Sequence, residues 1–534
     1  MRRQGELLKR HGYKLYPLFF ALFPLLSFFS ANQSEIRSGN FNLAAFFIFN
    51  LIIAGALWLI AWITTRNAKK ASILTVVMLA VFFTFGRAHD KLHNFVINTP
   101  VTPMGPTKIL LLATALILIL AWLGIRRLSS KNVDTANLVL SIVGLYLILS
   151  SLITIVLPYL SDSSGVVSDN NESQTASTLK KSTRAKPDIY YILLDGYGRQ
   201  DILKDNFGYD NSDFINELKK RKFYVADKAN SNYAHTHWSV PSTFNMGYLN
   251  YLSNQVGEKS NNREPLKKLT HYNEVTKIYK SIGYKYASIG SYWGWSESPA
   301  SDINLIADNK TKSKILGIGL NEGTLVYLQT TALKPWVDTK LRGTLAARII
   351  DAIEKTAKVP RVKEPTLSFT HLIIPHPPYL FDRNGAIKGL TQLELDNQGF
   401  SDRSEYIDQM IYTNKLTTEL VDKIIKNSEL PPIIIVAADH GPASTLSPSE
   451  FRQTDPNKMD VEGIKERMAI LNAYYFPDND YSKLYPGISP VNTFRLLLTQ
   501  YFGQNFELLP DKSYLSDNKS NQYRLTEVTD LVKD

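Results

Sequence analysis

Up to about residue 160 the chain is a succession of long apolar runs, and beyond it the apolar runs shrink to strand length. No single water-soluble core accounts for that division, whereas a lipid bilayer does. The runs cover residues 16–30, 41–63, 71–85, 109–123 and 136–160. A crossing takes about 20 mainly apolar residues. The second, fourth and fifth reach that length with their flanks, while Pro24 interrupts the first and the third is short. No small-residue cleavage site closes the first run, and further runs follow it, so it is read as a retained segment.

Basic residues set the expected orientation. With the N-terminus inside, the inner segments carry eleven: Arg2, Arg3, Lys9, Arg10 and Lys14, then Arg66, Lys69 and Lys70, then Arg126, Arg127 and Lys131. The outer loops carry four, Arg37, Arg87, Lys91 and Lys108. Five spans then place everything after residue 160 outside the cytoplasm. The expected organisation is a helical transmembrane domain of five spans over 1–160, a polar linker over 161–186, and an extracytoplasmic domain over 187–534. The linker is rich in Ser, Thr and Asn and free of aromatics, too polar to bury a core. The net charge of +11 is assigned to the membrane rather than to nucleic acid, because many of the bases flank apolar runs. The absence of cysteine excludes disulfides, thiolate metal sites and cysteine nucleophiles.

From Pro187 onward short β-rich runs alternate with helical patterns, which predicts an α/β domain with a central, mainly parallel sheet. Strands are expected at 188–194 (DIYYILL), 222–225, 285–289, 366–374 (TLSFTHLII) and 432–438 (PIIIVAA). Helices are expected at 211–221, 239–252, 265–282 and 404–427. Ligands of such sheets bind beyond the carboxyl ends of the strands. Three groups of chemically capable residues fall there: Asp195, the pair His371 and His376, and Asp439 with His440. Carboxylates and imidazoles together suit zinc or manganese better than magnesium. The bland alternatives are a turn for Asp195-Gly196, a hydrogen-bonded strand histidine for His371, and a helix cap for Thr236. His89, Asp90 and His93, beyond the third run, fit a solvated helix end.

The segments IYYILLDGYGR, NYAHTHWSVPSTFNM, THLIIPHPPY and VAADHGP, in this order, resemble the alkaline phosphatase/sulfatase superfamily. With five spans ahead of them, they are similar to its membrane-bound branch, the phosphoethanolamine transferases and lipoteichoic acid synthases. The resemblance implies a divalent cation, zinc or manganese, on Asp195, Thr236, Asp439 and His440, with a second metal possible in the family. It implies Thr236 as nucleophile in a Thr-x-x-Ser-x-Pro pattern (Thr236 to Pro241), activated by the metal. It implies a phosphate or second-metal role for His376, and substrate contacts for His371, His237 and Arg199. The implied reaction moves a phospho-alcohol head group, phosphoethanolamine or phosphoglycerol, from a membrane phospholipid to a cell-surface glycan or lipid through a phosphothreonine.

Departures from the family patterns keep other activities open. Aspartate stands at position 195 where the transferases more often have glutamate, and Ile374 and Pro375 replace small residues. Asp195-Gly196 also resembles the nucleotide pyrophosphatase branch, which would make a phosphodiesterase. A sulfatase would use Ser239, but Thr243 stands where its arginine belongs. A non-catalytic glycan-binding or export scaffold is the third alternative, and the complete ligand set argues against it.

Overall fold

The computed structural model describes residues 12–32, 43–98, 105–161, 186–291, 294–303, 314–315, 318–319, 322–388, 400, 402–447, 450, 454–517 and 521–533. The linker expected over 161–186 lies almost wholly outside the described residues. The chain forms two compact units, Met1–Gly165 with Ser313–Leu341, and Val166–Lys312 with Arg342–Asp534. The domain expected over 187–534 is thus interrupted, since residues 313–341 pack with the N-terminal helices.

In the first unit the five apolar runs become α1 (Tyr16–Ala31), α2 (Leu43–Thr65), α3 (Ala68–Asn98), α4 (Pro106–Arg127) and α5 (Ser130–Ser161). Four of these, α2 to α5, are long and apolar enough to cross a membrane. The run expected to be short is the 31-residue α3, because its polar flanks continue the helix. α1 has 16 residues, about 24 Å at roughly 1.5 Å per residue, short of the ~30 Å hydrocarbon layer. It lies alongside α5 and parallel to it. Tyr16 Oη donates to Asn137 Oδ1 at 2.8 Å near one end, and Ser30 Oγ donates to Thr154 Oγ1 at 3.0 Å near the other. Between these, Gly144 lets the α1 side chains approach: a Cβ there would stand 3.2 Å from Phe19 Cβ. Basic residues gather at the end where α3 and α5 begin and α4 stops, with Lys69 paired to Asp134 and Lys70 donating to the Arg126 carbonyl. The Ser313–Leu341 segment of the first unit supplies α7 (Glu322–Gln329) and the beginning of α8 (Lys334–Thr356), while α6 (Thr236–Phe244), α9 (Arg403–Asn427) and α10 (Val461–Met468) belong to the second unit.

The second unit is built on six strands: β1 (Ile189–Leu194), β2 (Tyr224–Val225), β3 (Lys285–Gly290), β4 (Thr366–Leu372), β5 (Ile433–Ala437) and β6 (Asn472–Tyr475). Their order across the sheet is β2-β6-β5-β1-β4-β3. The four strands β3, β4, β1 and β5 are parallel, as expected, and β6 joins antiparallel to β5 and β2. β1 and β5 are buried along their whole length, which is why both read as unbroken apolar runs. Register decides which residues meet at the sheet's carboxyl edge: Leu193 pairs with His371 on one side and with Ala437 on the other. The carboxyl ends of three adjacent strands therefore finish level, and Asp195 and Asp439 each follow two residues later.

Two helices expected from sequence begin or divide differently. The helix expected from Ser239 starts at Thr236, and residues 265–282 form two helices, Glu264–His271 and Glu274–Ser281, separated where Asn273 caps the second. The parallel core makes a direct prediction. Ile435 is fully buried in β5, so Ile435→Ala is expected to cost about 2–5 kcal/mol and Ile435→Val about 0.5–1.5 kcal/mol. Graded losses of melting temperature in the full-length protein would check this.

Candidate functional site

Three strand ends and one helix start converge on a single cluster. Asp195, Asp439 and His440 are buried, and one ligand atom from each lies within 4.8 Å of the others. The loop after β1 turns sharply at Gly196, whose φ of +71° and closeness to Phe400 (2.7 Å from a built Cβ) exclude a side chain. Its N–H donates to Asp439 Oδ1 at 3.2 Å. After β5, Gly441 passes against the backbone of α10, where a Cβ would stand 2.1 Å from the Glu466 carbonyl oxygen. Glycine at both positions lets the two acidic loops pack together.

Thr236 is the first residue of α6, and its hydroxyl does not cap that helix. The N-cap residue is His235, which makes no side-chain cap, and Thr236 Oγ1 lies 3.1 Å from His440 Nε2. His440 Nδ1 lies 3.0 Å from the Gly441 carbonyl, which takes the ring proton and leaves the Nε2 lone pair facing Thr236 and the carboxylates. His440 Nε2 is 3.2 Å from Asp439 Oδ2 and 3.5 Å from Asp195 Oδ1. Asp195 Oδ1 and Asp439 Oδ2 are buried and without a hydrogen-bond partner among the described residues. Two orphaned carboxylate oxygens, one imidazole lone pair and one hydroxyl are the donor set of a divalent cation. Tetrahedral ligands at about 2.0–2.2 Å from a cation stand roughly 3.3–3.6 Å apart. The separations here, 3.1, 3.2 and 3.5 Å, are close to that spacing, so the residues fit such a group.

The electrostatics follow from two carboxylates sharing a dry site. Burial pushes the Asp439 carboxyl up to about 7, and the Asp195 carboxylate adds to the rise. Burial acts on Asp195 in the same direction, but His376, His371 and His440 outweigh it and hold that carboxyl well below the usual range. Burial, followed by the Arg467 charge, lowers His440 well below the ordinary histidine value, so the imidazole is neutral and able to ligate.

The structure brings most of the expected residues together. His371, fully buried at the end of β4, lies between Ser296 Oγ (2.5 Å from Nδ1) and Asp195 Oδ2 (3.3 Å from Nε2). It is fully enclosed, and the side chain it faces is that of Asp195. His376 is half-buried, with its ring 6.1 Å from that of His440 and its Nδ1 2.6 Å from the Pro377 carbonyl. His237 is buried, stacked on His235 at 5.5 Å and edge-on to Trp295 at 6.2 Å, and its Nε2 has no hydrogen-bond partner among the described residues. Arg199 is engaged elsewhere. Its Nε and Nη2 grip Asp201 at 2.8 and 2.7 Å, and its Nη1 donates to the Ala229 carbonyl and Asn230. Arg199, expected to contact substrate, is held here by a carboxylate two residues away.

Several contributors carried no signal in the sequence. Arg467 on α10 donates from Nε to the Ala234 carbonyl at 2.7 Å and from Nη1 to the Gly441 carbonyl at 2.9 Å, tying the Thr236 loop to the Asp439 loop. Tyr406 on α9 donates to the Gly196 carbonyl and accepts from Gly198 N–H, while Gln409 donates to the His376 carbonyl at 3.0 Å. Ser239 Oγ, the nucleophile of the sulfatase alternative, is buried and donates to the Tyr233 carbonyl at 2.8 Å, with Ser231 Oγ at 3.0 Å. It is a fastener of the 231–239 loop.

Residues 187–487 match the family model described as Sulfatase. No curated protein sequence matches the chain. Among solved structures it is similar to the C-terminal periplasmic domain of EcEptC from Escherichia coli (13% identity, TM-score 0.38, covering 65% of this chain and 94% of that one). It is also similar to the periplasmic domain of phosphoethanolamine transferase EptC from Campylobacter jejuni (16%, 0.34, 61% and 92%). A third similar structure is the integral membrane lipooligosaccharide phosphoethanolamine transferase A of Neisseria meningitidis (12%, 0.35, 90% and 94%).

A pH prediction comes from Asp439. A carboxyl raised to about 7 in the fold contributes stability that is fully present below its unfolded value near 4 and is lost as pH rises through 7. Asp195, shifted downward, acts oppositely but only at the acid extreme. In chelator the melting temperature should therefore fall as pH rises from about 4 to about 7 and level off above that. Zinc or manganese should reverse that fall, with affinity dropping about tenfold per pH unit below 7 as one proton competes. Asp439→Asn should flatten both trends; a melting temperature indifferent to chelator and metal would contradict the assignment.

Proposed function

From the premise that this chain belongs to the sulfatase family, we propose that it is a membrane-anchored, metal-dependent transferase of phospho-alcohol head groups. The observation that carries this reading is the Thr236 hydroxyl on His440 Nε2, beside two buried carboxylates, at the first residue of a nine-residue helix. The N-terminus of α6 favours a phosphate placed against Thr236. Asp195, Thr236, Asp439 and His440 would hold a zinc or manganese ion, which supplies Lewis acidity to ionise the hydroxyl and offsets charge on the phosphoryl oxygens.

The chain's own residues divide the remaining work. Thr236 Oγ1 forms a bond to the phosphorus of a phospholipid, and the bond from phosphorus to the diacylglycerol oxygen breaks. His376, its Nδ1–H held by the Pro377 carbonyl, offers Nε2 to protonate that leaving oxygen. An acceptor hydroxyl of a cell-surface glycan or lipid attacks the phosphothreonine in the second step, returns a proton to His376 and frees Thr236. His371 holds Asp195 in place, and Arg467 binds the two loops that carry nucleophile and ligands. Ser239 is already committed to loop hydrogen bonds, which favours Thr236 over a serine-based sulfatase. Water in place of the acceptor would turn the same site to phosphodiester hydrolysis.

The membrane unit supports an extracytoplasmic placement in a cell membrane. α1 runs parallel to α5, so both enter from the same side, and five alternating crossings satisfy that relation. The basic ends of α3, α4 and α5 lie on that side, which the positive-inside rule assigns to the cytoplasm.

Incubating the full-length protein with phospholipid and digesting it for mass spectrometry should reveal a phosphoethanolamine or phosphoglycerol adduct on Thr236. Thr236→Ala should abolish the adduct and lower transfer on the order of 10^3-fold or more with the fold intact. Ser239→Ala should keep the adduct and cost about 1 kcal/mol of stability. An adduct that survives Thr236→Ala, or sulfate release without one, would overturn the reading. A reporter fused after residue 187 should be active only outside the cytoplasm.

A further inference from the structure

Residues 322–338 stand far along the sequence from the membrane helices, yet they are built into them. Tyr327 on α7 is fully buried, edge-on to Phe28 at 5.3 Å and to Phe46 at 4.9 Å, and its hydroxyl accepts from Asn50 Nδ2 at 2.6 Å. Main chain meets main chain as well. Gly86 N–H on α3 donates to the Thr330 carbonyl at 3.1 Å, and Ala332 N–H donates to the Phe82 carbonyl at 2.8 Å. A Cβ at Gly86 would stand 1.8 Å from the Gln329 carbonyl oxygen, so only glycine permits this approach.

Depth is what makes the contact informative. Phe82 and Gly86 belong to the candidate span Ala68–Leu92, whose uncharged part is Ala71–Gly86. At about 1.5 Å per residue that part is roughly 24 Å long, and Phe82 lies roughly 6 Å inside its Gly86 end. The backbone at 330–332, bonded to Gly86 and Phe82, therefore reaches from about the end of the uncharged part to roughly 6 Å within it. Irregular backbone survives there only where protein satisfies its polar groups, and the two hydrogen bonds to α3 contribute to that. Charge is compensated as the segment leaves: Lys334, 5% exposed, pairs with Asp90 at 3.0 Å and Asp338 at 3.3 Å, next to the Leu92 end. Two large apolar side chains of the segment nevertheless remain open, Val326 at 44% and Trp336 at 46% exposure.

We propose that residues 322–338 form a re-entrant element whose Val326 and Trp336 face phospholipid in the leaflet at the Leu92 end of α3. Val326 meets acyl chains, and Trp336 lies near the head groups, where tryptophan is favoured. Single exposed apolar residues are ordinary on a soluble surface; these two are set apart because each lies four residues from backbone that is hydrogen-bonded to α3. The inference rests on α3 crossing the bilayer and is independent of the chemistry at Thr236.

The chain has no cysteine, so single cysteines can report on each position without background. Full-length Val326→Cys and Trp336→Cys, labelled with an environment-sensitive fluorophore, would be reconstituted in phosphatidylcholine vesicles. They would be compared with Leu112→Cys on α4 (62% exposed) and Tyr272→Cys in the second unit (52% exposed). The expected result is blue-shifted emission at both positions, with acyl-brominated phosphatidylcholine quenching Val326→Cys as strongly as Leu112→Cys. Water-like, unquenched emission matching Tyr272→Cys would overturn the proposal. So would blue-shifted emission that brominated lipid leaves unquenched, since that places protein rather than lipid against the segment.

Discussion

Two carboxylates pressed together out of water are the constraint around which the second unit is arranged. Asp195 and Asp439 follow adjacent parallel strands whose register finishes them level, so the sheet itself forces like charges into one dry place. Left alone, that juxtaposition is unfavourable, as the rise of Asp439 toward neutrality shows. The surroundings answer with positive or ligating groups: His371 against one Asp195 oxygen, His440 between the two acids, and the Arg467 charge behind them. A cation would complete the balance, held where the orphaned oxygens face.

Holding such a site open takes rigid support from elsewhere in the chain. α9 clamps the loop after β1 through Tyr406 and the His376 loop through Gln409. α10 fastens the Thr236 loop to the Asp439 loop through Arg467, whose guanidinium is buried and whose proton affinity burial lowers to about 10. Ser231 and Ser239 tie the approach to α6 to the β5 end. Each of these side chains fixes main chain rather than touching the reacting centre, and a site of this kind works only when its supports are locked.

The two units share one habit of construction, which is glycine wherever main chains must touch. Gly196 and Gly441 admit the acidic loops in the second unit, and Gly86 admits residues 329–332 among the membrane helices. In the first unit this draws a segment from the middle of the soluble sequence into the bilayer-spanning helices. The membrane unit is therefore not contiguous in sequence, and its packing uses Tyr327 as a buried anchor.

Local pattern determined a good deal. Apolar length alone located α1 to α5, and unbroken apolar runs located β1 and β5, because burial on both faces favours apolar residues along a whole strand. The strand ends then pointed to Asp195, His371 and Asp439 with His440, since a parallel sheet presents its carboxyl edge to ligands. Thr236 needed more than periodicity, as a threonine ahead of a helix is usually a cap; the motif resemblance selected it. Tertiary structure alone decided the rest. That the helix starts at Thr236 with Pro241 inside it depends on burial of Trp238 and its neighbours, which no propensity conveys. Arg199 was lost to Asp201, while Arg467, Tyr406 and Gln409 entered through contacts more than 25 residues away in sequence. The capture of residues 313–341 by the membrane helices was equally invisible, because its glycine contact and its tyrosine anchor belong to segments whose pairing only the folded chain establishes.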